Sequence, residues 1–317
     1  MLKNMTVYRI GAGWVPDLAA LEAGLSRQRF VPCSATQPVA FGWVEPRGEA
    51  HAPLVEVVGG QWLMKLQSEK KLLPASVVKR RAEERARQIE ETTGRKPGKR
   101  ETKALKDEAV LELLPMAFTK EARVLVWIDP QARLLVVDTG SQARADEVVS
   151  CLVKAADGLS VMLLQSTVSA AVAMSQWLGS GEAPAGFTID RDCELKSADE
   201  MKSVVRYARH ALDNEGVRQH IEGGKVPTRL AMTWNDRVSF VLTDSLQLKK
   251  LDFLDGVFAG RPADDEGFDA DAAITTGELR QLIPDLVEAL GGELDTLTAG
   301  APSVATPRPT PAEAATV

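Results

Sequence analysis

Positive charge is the chemistry this chain offers most densely. Between Lys65 and Lys106, fourteen Lys and Arg stand against six Asp and Glu, a local balance of +8. The run Val77-Val78-Lys79-Arg80-Arg81 and the turn Gly94-Arg95-Lys96-Pro97-Gly98-Lys99-Arg100 carry much of it. Cations gathered in this way neutralise phosphates and release counterions. Without interleaved base-reading residues they suit contact with a nucleic-acid backbone, not readout of its sequence. From Asp252 to the last residue, three Arg stand against thirteen Asp and Glu, a balance of −10, although the whole chain carries only −6. Two readings fit: a polarised molecule with one basic and one acidic surface, or two solvated faces that differ in sign.

Other chemistries have less to stand on. Asp269-Ala270-Asp271 is a carboxylate pair that could take a cation, and Asp129 and Asp138 flank a turn as nuclease carboxylates could. Neither pair has a Lys or His at a recognised spacing, so exposed loop carboxylates are expected. His51, His210 and His220 are scattered, so no metal centre is expected. Cys33, Cys151 and Cys193 are odd in number and lack metal-ligand spacing, which suits a reducing compartment. Gly11-Ala12-Gly13 runs into Trp14-Val15-Pro16 and lacks the third glycine of a dinucleotide loop. No catalytic residue and no cofactor are expected. There is no signal-peptide apolar block, and no apolar run approaches the ~20 residues of a membrane span. The expectation is a soluble protein of the cytoplasm.

The elements that must position the cations come next. Met5–Ile10 reads as a strand and Pro16-Asp17 opens a helix. Leu54–Val58 and Trp62–Leu66 flank Gly59-Gly60, a hairpin signal. The hairpin hands over to two helical arms, Ala75–Glu91 and Glu101–Leu114, broken by Pro97-Gly98. The first arm has a thin apolar stripe (Val78, Ala82, Ala86, Ile89). The second has a fuller one (Leu105, Ala109, Val110, Leu113, Leu114), by which the hairpin is expected to lean on the body. Phe118 lies where helix gives way to loop. It reads either as a core residue capping the arm or as an exposed aromatic for a second subunit or for DNA. Val124–Asp129 and Arg133–Asp138 are strands about a tight turn. Gln142–Ala155 and Val168–Leu178 are helices and Leu159–Leu164 a strand between them. Lys225–Trp234, Val238–Thr243 and Leu246–Phe253 form a meander. Asp264–Asp271 is expected as an acidic loop before a helix over Gly277–Leu290. Trp127, Trp177 and Trp234 lie in apolar patterns and are expected in the core. The fold class is α+β with largely antiparallel sheets and a protruding basic helical hairpin. Residues 1–297 form one unit with subdomains at about 75–114, 121–178, 187–225 and 225–292, and the Ala/Pro/Thr tail 298–317 is expected to be disordered.

In this order the chain also carries Phe41-Gly42-Trp43-Val44, Glu69-Lys70-Lys71-Leu72-Leu73-Pro74, Leu105-Lys106-Asp107-Glu108, Leu113-Leu114-Pro115-Met116-Ala117-Phe118 and Val126-Trp127-Ile128-Asp129. They are followed by Glu194-Leu195-Lys196, His220-Ile221-Glu222-Gly223-Gly224-Lys225-Val226, and Phe268-Asp269-Ala270-Asp271 running into Thr276-Gly277-Glu278-Leu279. With this set the chain resembles the RdgC family of bacterial recombination-associated proteins over most of its length. The resemblance implies a ring-shaped homodimer that encircles double-stranded DNA without sequence preference, with single-stranded DNA as a further candidate. It also implies nucleoid association and antagonism of a RecA-type recombinase. Phe118 matches an aromatic at a subunit contact and Lys225 a DNA-facing lysine. Arg209 and His210 fall at the tip of the subunit, where relatives can carry Lys-Gln. Met116 stands where relatives can carry Arg, and Lys120 keeps charge nearby. The expected DNA-binding set is Arg80, Arg81, Lys99, Lys103, Lys120, Arg206, Arg209, His210 and Lys225. The competing readings are an interaction module that docks a basic partner through its acidic C-terminal surface, and a metal-dependent nuclease using Asp269 and Asp271.

Overall fold

The apolar run at the N-terminus makes the strand on which both halves of the molecule are built. The computed structural model describes residues 2–199, 201–258 and 267–294, and these contain twelve strands and eight α-helices. In order they are β1 (Asn4–Ile10), α1 (Leu18–Ser26), β2 (Val39–Val44), β3 (Glu56–Val58), β4 (Gln61–Leu72), α2 (Ala75–Thr93) and α3 (Lys99–Leu113). Next come β5 (Phe118–Asp129), β6 (Leu134–Val137), α4 (Gln142–Ala155), β7 (Val161–Leu163), α5 (Ala170–Ser180), β8 (Phe187–Ser197), β9 (Val204–Tyr207) and α6 (Glu215–Glu222). The series ends with β10 (Lys225–Trp234), β11 (Val238–Thr243), β12 (Leu248–Phe253), α7 (Asp255–Phe258) and α8 (Phe268–Ala289). The strands join in the order β2-β4-β5-β6-β1-β12-β11-β10-β8-β9, with β3 on β4 and β7 on β1. Every paired strand is antiparallel, as an α+β chain of hairpins requires.

β1 is the joint between the halves. Thr6–Arg9 pair with β6 and Tyr8–Ile10 with β7, whereas only Asn4 and Met5 reach β12. Side chains that alternate along a strand face opposite ways, and here they enter different cores. Tyr8 and Ile10 join Leu21 and Leu25 of α1 and Val148 and Leu152 of α4. Met5 and Val7 join Trp127, Trp177 and Trp234 with Leu279, Leu282 and Leu286 of α8. The three tryptophans are therefore core residues, as their apolar surroundings in the sequence predict.

The Gly59-Gly60 hairpin forms with both glycines at positive φ (57° and 80°), the conformation a two-residue turn of this hand requires. β4 then runs on to Leu72, past the Leu66 end predicted for it, and β5 begins at Phe118, not Val124. They pair continuously from Trp62 with Ile128 out to Leu72 with Phe118. The added residues are mostly polar and belong to neither apolar core. Those of β5 are exposed, whereas Gln67, Ser68, Glu69 and Lys71 of β4 are buried, with Glu69 accepting the Cys33 N–H and the Lys71 ammonium donating to the Ala35 carbonyl. The arms grow from the end of this ribbon. Their apolar stripes close on each other in a small cluster of Ala82, Leu105 and Ala109, flanked by Val78, Ala86 and Ile89. This cluster shares no residue with the two large cores, so the second arm leans on the first and not on the body. α8 begins at Phe268, nine residues before the predicted Gly277. Asp269 and Asp271, read as loop, lie in its first turn, where carboxylates complement the helix dipole. Asp264 to Glu266 and the 298–317 tail lie outside the described residues.

Candidate nucleic-acid interface

Helices as polar as α2 and α3 need more than apolar contact to stay together, and ion pairs supply it. The Arg81 guanidinium forks onto the Glu112 carboxylate across the arms and reaches Glu84 at 3.3 Å. Arg85 bonds Glu108 at 2.8 Å and Glu112 at 2.7 Å. The Arg81 hydrogen bonds hold Glu112 below the usual carboxylate range. At the tip, Arg95 forks onto Glu101 at 3.0 and 2.5 Å, and Glu101 also accepts the Gly98 N–H at 2.8 Å. Lys79 and Arg80 each sit one turn from a glutamate, at 3.7 and 4.0 Å. Lys96 lies 3.8 Å from Glu90.

Six of the fourteen cations in the basic segment, Lys79, Arg80, Arg81, Arg85, Arg95 and Lys96, are thus paired inside the arms. Lys99, Arg100, Lys103 and Lys106 of α3, Arg87 of α2 and Lys70 of β4 are exposed and meet no carboxylate within ion-pair distance among the described residues. Lys99, Lys103 and Lys106 follow i, i+4, i+7 spacing and share one helix face. Lys99 and Lys103 therefore stand where a DNA-binding reading needs them. Arg80 is exposed with one weak partner, and Arg81 is a strut between the arms. Lys70, Arg87, Arg100 and Lys106 were not singled out from the sequence. The spacing of Lys106 from Lys99 and Lys103 is a signal that could have found it.

Lys120 of β5 lies directly opposite Lys70 of β4. Like charges opposed on a ribbon repel each other, and an anion laid over them removes that cost. Next along the same face come Leu72 and Phe118, another cross-strand pair, 47% and 85% exposed, with Met116 nearby in sequence at 70%. Phe118 is therefore no core cap. It begins a strand and stands in solvent.

The remaining predicted residues lie toward the other end of the strand order. Arg206 pairs with Glu194 at 2.6 Å. Arg209 adopts φ 55°, and its backbone N–H donates to Asp192 at 2.6 Å. His210 packs edge-on against Tyr207, and His220 lies on the same ring, so the fold gathers two histidines that are ten residues apart in sequence. Lys225 opens β10 opposite Ser197, whereas Arg206 lies opposite Glu194. Strand alternation puts Lys225 and Arg206 on opposite faces. The chain thus carries basic residues at both ends of the strand order, on the arms and the β4–β5 ribbon at one end and around β9 and the start of β10 at the other.

The candidate carboxylates are engaged elsewhere. Asp269 pairs with Arg47 at 2.5 Å. Asp129 is buried, accepts the Gln131 and Ala132 N–H groups at 2.9 Å each, and meets Arg280 at 2.7 Å. Asp138 accepts the Lys3 and Asn4 N–H groups, and its burial raises its pKa. Three of the C-terminal acids fasten α8 and the residues after it to the body: Glu278 holds Arg237 at 2.5 Å, Asp285 accepts the Trp234 indole N–H at 2.8 Å, and Glu293 beyond the helix holds Arg9 at 2.5 Å. Among the described residues no three His, Cys, Asp or Glu gather as a metal site, and no helix is long and apolar enough to cross a membrane.

Comparison with known proteins places this geometry in context. A family model described as "RdgC: Putative exonuclease, RdgC" matches residues 1–293. The chain is similar to the recombination-associated protein RdgC of Dechloromonas aromatica, 46% identical over 299 residues that cover 92% of this chain and 98% of the relative. The proteins of the same name from Cupriavidus pinatubonensis and Bordetella pertussis are 47% and 43% identical, each over 295 residues with the same coverage.

Proposed function

The chain belongs to the RdgC family, and from that premise we propose that it is a non-enzymatic DNA-binding protein that encircles duplex as a homodimer. Bound in this way it limits access of a RecA-type recombinase in the cytoplasm, at the nucleoid. The observation that carries the reading is the α3 face of Lys99, Lys103 and Lys106 with Arg100 beside it. These cations are exposed, close in space and unneutralised, on an arm that projects from the sheet. Their chemistry suits phosphate and is blind to base identity. Arg209, His210 and Lys225, toward the other end of the strand order, supply a second contact, and Phe118 with Leu72 and Met116 supplies apolar surface for the second subunit. The acidic-surface reading has fewer free carboxylates to work with, because Asp269, Glu278, Asp285 and Glu293 already hold partners within the chain.

Retention on plasmid tests encirclement. Protein loaded at low salt should survive a high-salt wash on covalently closed circles and be lost from the same plasmid once linearised. Equal loss from both sinks the ring. Phe118→Ala should shift the mass in solution toward monomer; an unchanged dimer removes Phe118 from the interface. Long incubation of labelled duplex with Mg²⁺ decides against the exonuclease in the family description if the strands stay full length, and for it if they shorten.

A further inference from the structure

The cleft between the start of α8 and the inner end of the β4–β5 ribbon holds a charge pattern that folding alone leaves costly. Its volume is about 400 Å³, within the range of small-molecule sites, roughly 300–1,000 Å³. Lys65 pairs with Leu125 and Gln67 with Arg123 in the β4–β5 register, so Lys65 and Arg123 are diagonal neighbours on one face, and both line the cleft. Lys65 is half-buried. Its ammonium donates to the Pro46 carbonyl, and among the described residues no carboxylate lies within ion-pair distance of it. Burial, and then the charge of Arg123, lower its pKa. Arg123 donates to Gln67 at 2.8 Å and has one carboxylate, Glu121, at 3.6 Å in an exposed pair. The opposite wall is Arg47, stacked 4.9 Å over the Phe268 ring and held there by Glu56 and Asp269. Two carboxylates share the lining. Asp138 is turned to the β1 backbone, and Asp271 limits how far an anion extends toward α8.

Drawing two cations together at a partly desolvated place costs stability unless negative charge joins them. Such perturbed groups in clefts mark ligand sites more often than ordinary surface does. We propose that this cleft binds a phosphate group, of a DNA backbone or of a free nucleotide. Lys65 and Arg123 are its direct ligands, and Arg47 on Phe268 is the wall that orients it. The site is distinct from the arm cations and stands whether or not the protein encircles DNA.

The test is thermal unfolding of the full chain in inorganic phosphate against chloride at matched ionic strength, and in thymidine 5′-monophosphate against thymidine. Wild type should be stabilised by phosphate and by the nucleotide but not by the nucleoside. Lys65→Met should unfold at a higher temperature than wild type without ligand, since it removes a half-buried charge. It should bind phosphate about tenfold or more weakly, as loss of one charge-assisted hydrogen bond implies. Arg123→Gln, at an exposed side chain, should weaken phosphate likewise and carries the test if Lys65→Met does not fold. No phosphate-specific stabilisation of wild type, or an undiminished one in both variants, overturns the proposal. Equilibrium dialysis of radiolabelled nucleotide then separates the sources. Displacement by duplex assigns the site to backbone phosphate, and retention beside bound duplex assigns it to free nucleotide. A protein that binds phosphate here but no DNA would sink the DNA-binding function and leave this site standing.

Discussion

Trp127 in the body and Ala109 in the arms are both fully buried, yet the cores they belong to differ greatly in size. Trp127 belongs to a cluster that draws side chains from both halves of the sheet and three helices, and its indole N–H donates to Gln61 at 2.9 Å. Ala109 has Ala82, Leu105 and a few half-buried neighbours. The body holds its shape chiefly by burial, which depends less on ionic strength and pH than ion pairs do. The arms hold theirs by a thin apolar seam and a lattice of Arg–Glu pairs. The difference teaches where a charged partner can act. An element fastened by ion pairs presents its leftover cations without a hydrophobic cost, and it responds to the ionic conditions that govern nucleic-acid binding.

The strongest test of this contrast is truncation within each core. Trp127→Ala should cost about 3–5 kcal/mol of global stability, the range for a buried aromatic. Chemical denaturation should show it as a lower midpoint. Leu105→Ala should cost about 2 kcal/mol, the low end for leucine because so small a cluster can collapse. Its effect should be confined to the arms. Hydrogen exchange should quicken in α2 and α3 while the amides of β1 keep their protection. Equal loss of protection in β1 would mean that the arms and body are one cooperative unit.

A gentler probe is pH. Arg81 lowers the pKa of Glu112 in the folded arm. A carboxylate depressed by folding contributes stability above its unfolded pKa, about 4.3, and loses it as pH falls through the lower folded value. The arms should therefore loosen below about pH 4.3, and Glu112→Gln should loosen them already at neutral pH. The readout is exchange in α2 and α3 corrected for intrinsic rates. Protection that does not change in either condition would show that the apolar seam alone holds the hairpin.

The elements legible in the sequence were those whose residues meet the core. The meander β10–β12, helix α4 and the Gly59-Gly60 turn announce themselves by apolar period or by turn chemistry. The outer halves of β4 and β5 do not, because Gln67 to Lys71 and Thr119 to Arg123 pair with each other outside the apolar cores, and the residues of β4 buried there (Gln67, Ser68, Glu69, Lys71) are polar ones that hydropathy does not mark. The start of α8 was hidden for a related reason: acids favoured at a helix N-terminus look like loop when counted by hydropathy. At the site, sequence located the basic segment but not its internal neutralisation. Arg81 and Lys103 are equivalent as letters, and only the crossing of α2 over α3 shows that one meets Glu112 and the other meets solvent.

That last pair gives the finest test, because it asks whether free and fastened cations differ as DNA contacts. A cation that neutralises one phosphate adds about 0.9 to the slope of log affinity against log salt on duplex. Lys103 is exposed with no carboxylate partner, so Lys103→Gln should reduce the slope by roughly one, weaken all sequences alike and leave exchange in the arms unchanged. Arg81 is already bonded to Glu112 and Glu84, so its charge reaches a phosphate only after those bonds are given up. Arg81→Gln should loosen the arms, as Glu112→Gln does, and should change the salt slope by less than Lys103→Gln. Salt titrations of the two variants on one duplex, with exchange measured in parallel, separate the roles. If Arg81→Gln lowers the slope by as much as Lys103→Gln without disturbing the arms, the guanidinium turns from Glu112 to DNA in the complex. The ion-pair lattice would then be a store of cations released on binding, and not a strut.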